Sequence, residues 1–220
     1  MTIENKLRRL GAALPERAAD ALERHARLQR EKEFALRLMG EEEIREMLDA
    51  IGGIDVFRYL LPLWTDDNSN YAAVYFGGPL EGRVCYLNHG ETDNSPAFRS
   101  VESFVARLEQ DERQDWDDLQ KEYPYPADVP QSEADARSVR ELFDLLEQAD
   151  LDEDVRTQQA FGLMALTSRD KLPVLLPFLE DEDPYVRERA AEIFKHHGVS
   201  PGKLKRDLTL NANENENHKE

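Results

Sequence analysis

The sequence predicts an α+β protein, in which an antiparallel sheet flanked by helices is followed by an all-helical C-terminal extension. Residues 71–76 and 83–87 are two short apolar runs separated by a segment rich in glycine and proline, the pattern of a β-hairpin. Apolar residues spaced three to four apart mark helices within 3–28, 41–51 and 98–108. Residues 138–198 show only the helical spacing. Strands followed by a run of helices indicate an α+β fold, in which the sheet and the helices come from separate parts of the chain.

The N-terminal third alternates helix, strand and helix. Residues 3–28 keep helical spacing, but Gly11 interrupts them and Pro15 lies where a second helix would begin. The apolar run 34–39, ended by Gly40, predicts a strand. Three glutamates at 41–43 then open a helix, because the positive end of the helix dipole favours acids there.

The middle of the chain contains the predicted sheet. Residues 54–63 are apolar and aromatic, and residues 66–70 are dense in turn formers. The hairpin of residues 71–87 follows, with its connection at Gly77–Gly82. The helix within 98–108 presents one apolar face, made by Val101, Phe104, Val105 and Leu108.

The composition changes at residue 111. Residues 111–135 carry nine acids against two bases, a net charge of −7, and contain three prolines. We expect a domain of residues 1–110, an acidic linker at 111–137 with a short helix around Trp116 and Leu119, and helices at 138–200. Residues 201–220 end in a strongly polar stretch, for which we expect a disordered tail.

The helical extension contains an internal repeat with an offset of 31 residues. Val155-Arg156 with Ala160 recurs as Val186-Arg187 with Ala191, each after an acidic turn. Two such helix pairs resemble short HEAT-type repeats. Solenoids need about three or more units to stand alone, so we expect this pair to lean on the N-terminal domain.

The net charge argues against several classes of function. The 220 residues contain 28 Lys and Arg against 46 Asp and Glu, a charge of −18 and a sequence pI near 4.7. Such a surface repels phosphate backbones and anionic lipids, so we expect neither a nucleic-acid nor a membrane partner. One cysteine, Cys85, leaves no internal disulfide, and neither a signal peptide nor a membrane span is visible. We expect a cytoplasmic protein.

No catalytic motif is visible in the sequence. The five histidines form no metal-ligand spacing, and His89 is the only one placed in a turn as a site residue would be. The glycine-rich segment at 77–82 lacks the lysine of a phosphate-binding loop. Residues 66–70 could hold Ca²⁺ in principle, but a turn capped by its own side chains is the favoured interpretation. We expect no enzyme, no cofactor and no metal.

An ordered series of phrases over residues 3–108 resembles the SUKH superfamily, the Smi/Knr family. The phrases are Leu10–Pro15, Phe34–Ile44, Leu61–Tyr71, Val84–His89 and Ser100–Val105. The chain departs from the family pattern at Gln29-Arg30 and at Ser69. The resemblance implies an α+β fold with a curved antiparallel sheet and no catalytic residues. Bacterial members are commonly immunity proteins that neutralise a cognate toxin, and fungal relatives are scaffolding regulators.

These observations lead to two functional hypotheses. The first is a non-enzymatic immunity protein whose acidic surface binds a cognate, possibly basic toxin; the second is an adaptor or scaffold that binds proteins through its repeats. The oligomeric state stays open. The expected contact surface combines the turn after the second strand with an acidic aromatic patch: Trp64, Asp66, Asp67, Asn68, Asn70, Tyr71, Trp116, Asp117 and Asp118.

Overall fold

The computed structural model describes residues 11–90, 92–148 and 150–217, with side chains described as far as Leu210. The predicted helical stretch from Ile3 to Leu10, and the most C-terminal histidine, lie outside the described residues. The predicted α+β class is confirmed, because a four-stranded antiparallel sheet is accompanied by helices. Strand order follows the chain, β1-β2-β3-β4.

The first elements begin close to where the sequence places them. Helix α1, Glu16–Leu28, starts directly after Pro15. Strand β1 is only Arg37–Leu38 and not the whole run 34–39, because the Ala35 amide donates to the Glu112 carbonyl outside the sheet. Helix α2, Glu41–Ile51, follows Gly40, whose amide donates to the Glu43 carboxylate at 2.6 Å.

The sheet is completed by three longer strands. A 3₁₀ turn at Asp55–Phe57 precedes β2, Leu60–Thr65, which is buried along its whole length. Strands β3, Tyr71–Tyr75, and β4, Val84–Leu87, form the predicted hairpin. Its connection uses two glycines with left-handed backbone angles, Gly78 and Gly82.

The sheet is covered on both faces. One face packs on α1 and on α3, Val101–Leu108, with Leu22, Trp64 and Phe104 among the residues of this core. The other face carries a smaller cluster: Leu60, Ala73, Cys85 and Leu87. A strand that is covered on both faces has apolar residues at consecutive positions. This explains why residues 60–65 do not alternate between apolar and polar side chains.

The C-terminal part is helical, as the spacing predicts. It contains α4, Glu133–Leu146; α5, Glu153–Ala165; a 3₁₀ segment, Arg169–Glu180, with two internal prolines; and α6, Pro184–His196. Every residue from Ala160 to Ala165 is buried, which makes α5 the central helix of a second core.

The internal repeat holds at the helix starts and fails at one core position. Asp152 and Asp183, 31 residues apart, both cap their helices through their carboxylates. Leu163 and Phe194 keep the same offset, and both are buried. Ala160 is fully buried, whereas its counterpart Ala191 is exposed.

Pro201–Asn217, where the sequence predicts a polar tail without structure, forms helix α7. Two interactions hold its first turns against the preceding segment. Leu204 packs on the second core, and the Lys205 ammonium lies 2.5 Å from the Glu180 carboxylate. These two contacts hold the start of α7 in place, although the composition of residues 201–220 is strongly polar.

Residues 111–132 contain turns, and the expected short helix around Trp116 is absent from them. The Asp115 carboxylate accepts the amides of Asp117 and Asp118, which satisfies the chain locally and favours a turn. Trp116 packs in the first core, whereas Tyr125 packs in the second.

Candidate functional site

Three of the residues singled out in the sequence, Asn70, Trp116 and Asp117, line a concave cleft of about 420 Å³. One side is the edge strand β4 with the turn before β3, and the other side is formed by α5 and α6. Residues 93–97 and 116–124 contribute the rest. The lining side chains from these elements include Asn70, Tyr86, Asp93, Trp116, Asp117, Lys121, Phe161 and Arg189.

The turn from Asp66 to Asn70 is built on a single carboxylate. Asp66 accepts the amides of Asn68 and Asn70 at 2.8 and 3.2 Å and the Asn70 side-chain amide at 2.8 Å. Burial raises the pKa of Asp66, but these hydrogen bonds outweigh it, so the pKa lies below its ordinary value. Asn70 also accepts the His89 amide, which ties the turn to the end of β4.

The wall beside this turn is an aromatic stack. The rings of Tyr86 and Trp116 lie parallel, with centroids 4.4 Å apart. Burial, together with Asp66 and Asp117, raises the pKa of Tyr86 to about 12, so its hydroxyl stays protonated. The Lys121 ammonium donates to the Trp116 carbonyl and lies 5.3 Å from the indole ring. Its position covers one flank of the stack with a cation.

The cleft receives only part of the expected contact surface. Asn70, Trp116 and Asp117 line it. Trp64 does not belong to the contact surface that the sequence predicts. Its side chain is fully buried against Phe104 and cannot contact a partner. Trp116 is itself only 9% exposed, so it belongs chiefly to the core.

The remaining predicted residues point elsewhere. Asp67 and Tyr71 line a separate depression beside α2, where the Arg37 guanidinium contacts both Asp67 and Glu43. The Glu43 and Asp67 carboxylates hold the pKa of Arg37 above its usual range. Asn68 and Asp118 are exposed and line neither concavity.

Most of the cleft lining was not singled out from the sequence, and Asp93, Phe161 and Arg189 belong to this part. The Arg189 guanidinium forms an ion pair with Asp93 and lies 4.9 Å from the Phe161 ring. Asp93 and Arg189 are 96 residues apart, so no local pattern relates them. Phe161 is an apolar residue inside a helix, so its sequence context predicts packing in the core and not a place in a binding site.

Nothing in the described residues assembles a reactive constellation at the cleft. The His89 side chain is exposed, and the residue contacts the turn only through its backbone amide, which donates to the Asn70 side chain. Burial raises the pKa of the Cys85 thiol, so it stays protonated and unreactive. Within residues 11–90, 92–148 and 150–217, no cluster of three His, Cys, Asp or Glu residues could hold a metal. What the cleft offers is shape, carboxylates and aromatic surface.

Comparisons with protein-family models, with curated proteins and with solved structures found no significant match. In the part of the chain that the structure describes, no helix has the length and apolar character needed to cross a membrane.

Proposed function

We propose that the protein is a non-enzymatic binding protein that recognises a basic protein partner, acting as an immunity protein toward a cognate toxin. The observation that carries this proposal is the cleft, which joins Asn70, Trp116 and Asp117 to two helices on one concave surface. Aromatic side chains bordered by polar groups are typical anchors of protein–protein interfaces.

Two further properties support a basic partner. The net charge of −18 speeds association with a cationic protein through long-range attraction. The ordered resemblance of residues 3–108 to the SUKH superfamily supports the immunity role in particular. The adaptor hypothesis places the binding surface on the helical repeats, with a partner other than a toxin.

Co-expression with the product of the gene adjacent to its own tests the proposal. If that product is a toxin, we expect the intact protein to restore growth and to co-purify with it. Failure of both would refute the immunity role. Co-purification with a protein that does not impair growth would favour the adaptor hypothesis.

A matched pair of substitutions links binding to the cleft. Asp117 lines the cleft and Asp118 does not, although both are exposed and adjacent. We expect Asp117→Lys to weaken the complex about tenfold or more and Asp118→Lys to change it little, since the net charge changes equally. Equal losses would show that only the overall charge matters and not this cleft.

A further inference from the structure

A second, larger concavity of about 850 Å³ lies where the 3₁₀ turn before β2 meets the first turns of α5 and α6. We call it the acidic groove. It shares Asp93 and Arg189 with the cleft, so the two concavities adjoin. Among the described residues of its lining, Arg189 is the single cationic side chain, against six carboxylates: Asp93, Glu153, Asp154, Asp183, Glu188 and Glu192.

Half of these carboxylates already have partners. Asp93 and Glu192 face Arg189, and Asp183 caps α6 while accepting the Thr157 hydroxyl at 2.6 Å. Glu153, Asp154 and Glu188 are exposed and have no cationic partner among the described residues. The groove therefore has a negative charge that no side chain in the described part of the protein neutralises.

Apolar side chains stand beside these charges. Ile54 is 47% exposed and Tyr185 is 69% exposed, and both line the groove. Exposed large apolar residues grouped in a concavity indicate an interaction surface. Arg189 shows how a guanidinium is held here, since it lies over the Phe161 ring and pairs with Asp93.

We propose that the acidic groove docks a segment of the partner protein that carries arginine or lysine side chains flanking an apolar one. The cations would pair with Glu153, Asp154 and Glu188, and the apolar side chain would pack between Ile54 and Tyr185. A second copy of the chain is disfavoured, because two bodies of charge −18 repel each other. This inference rests on the proposed function and names the chemistry of its partner.

A peptide probe tests the charge part of the proposal. The probe is a short fluorescent peptide in which arginines alternate with leucines, and its binding to the full chain is followed by anisotropy. We expect E153Q/D154N/E188Q to weaken binding about tenfold or more. The control E141Q/D144N/E147Q removes the same charge from exposed acids in α4 and at its C-cap, and it should leave binding nearly unchanged. Equal losses in the two variants would overturn the proposal.

A double-mutant cycle tests the apolar part. Tyr185→Ala is combined with a peptide in which alanine replaces the leucines. If leucine packs on Tyr185, the two changes together should cost less than the sum of the separate losses. Additive losses would overturn the apolar contact. Circular dichroism of each variant establishes that the helices are retained, since the substituted side chains are exposed.

The same variants separate this inference from the proposed function. With a co-purifying partner in hand, the groove variant should lose the complex and the α4 control should keep it. A partner that binds both variants equally leaves the proposed function standing and refutes the groove as its docking site. A peptide that depends on the groove, with no partner found by co-expression, refutes the proposed function alone.

Discussion

Asp135 is the residue whose neutralisation should cost the fold most. Its carboxylate lies beneath the β3–β4 hairpin and is about 2% exposed. Arg83 donates to it at 2.6 Å, Tyr123 at 2.7 Å and Ser132 at 2.7 Å, and Tyr125 donates as well. Burial raises the pKa of Asp135, but these four donors outweigh it, and the pKa lies below its ordinary value.

The expected loss follows from what Asp135→Asn leaves behind. Arg83 is 6% exposed, and the substitution leaves its buried guanidinium without an anion. Breaking a buried ion pair by removing one partner costs about 3–5 kcal/mol. For a chain of this length, each kcal/mol lowers the melting temperature by roughly 2–4 °C. We therefore expect the melting temperature of Asp135→Asn to be lower by about 10 °C.

Urea unfolding of the variant, followed by tryptophan fluorescence, measures the loss of unfolding free energy directly. The control is Arg45→Gln, which removes an exposed ion pair with Glu41 and should cost about 0.5 kcal/mol or less. A loss below about 1 kcal/mol for Asp135→Asn would refute the reasoning. It would mean that Arg83 finds water or another acceptor once the carboxylate is gone.

Two further outcomes are expected from the second core and from two buried histidines. A methyl group added at Gly162 would lie 3.0 Å from the Leu80 side chain. The crowding costs about 1–3 kcal/mol and the helix propensity of alanine recovers about 1 kcal/mol, so Gly162→Ala should lower the unfolding free energy by at most about 2 kcal/mol in urea titrations. A gain in stability would contradict this and show that the Leu80 side chain moves aside. Ala191→Gly, at an exposed position of α6, should cost about 1 kcal/mol. Burial lowers the pKa of both His25 and His197 below 6.5, so the unfolded chain binds more protons below that pH and the folded form loses stability as the pH falls. The unfolding free energy from urea titrations should stay level from about pH 8 to about pH 6.5 and then fall by up to about 1.4 kcal/mol per pH unit for each histidine, and a flat profile down to about pH 5 would contradict this.

The sequence predicts the elements well where the signal is local. The hairpin at 71–87 follows from two apolar runs and a glycine-rich connection, and the start of α1 follows from Pro15. Such signals depend on backbone preferences within a few residues. The helical character of residues 138–198 is likewise a local property.

Long-range pairing explains what the sequence analysis missed. Arg83 and Asp135 are 52 residues apart, and Asp135 lies in a stretch whose acids indicate a solvated linker. Trp64 could equally be an exposed anchor or a core residue until β2 is seen to be covered on both faces. Nothing near Asp93 in sequence marks it as the partner of Arg189. Burial and ion pairing at these positions are set by the tertiary fold.

The same distinction decides which acids can report on binding. Asp152 caps α5, and Asp183 caps α6. Asp181 pairs with Arg156 at 2.6 Å, and burial raises its pKa less than this pairing lowers it. Removing these carboxylates would weaken the helices and reduce binding indirectly, since loss of a cap costs about 1 kcal/mol. Only acids without a structural role, such as Glu188 and Asp117, separate the attraction of a basic partner from the stability of the fold.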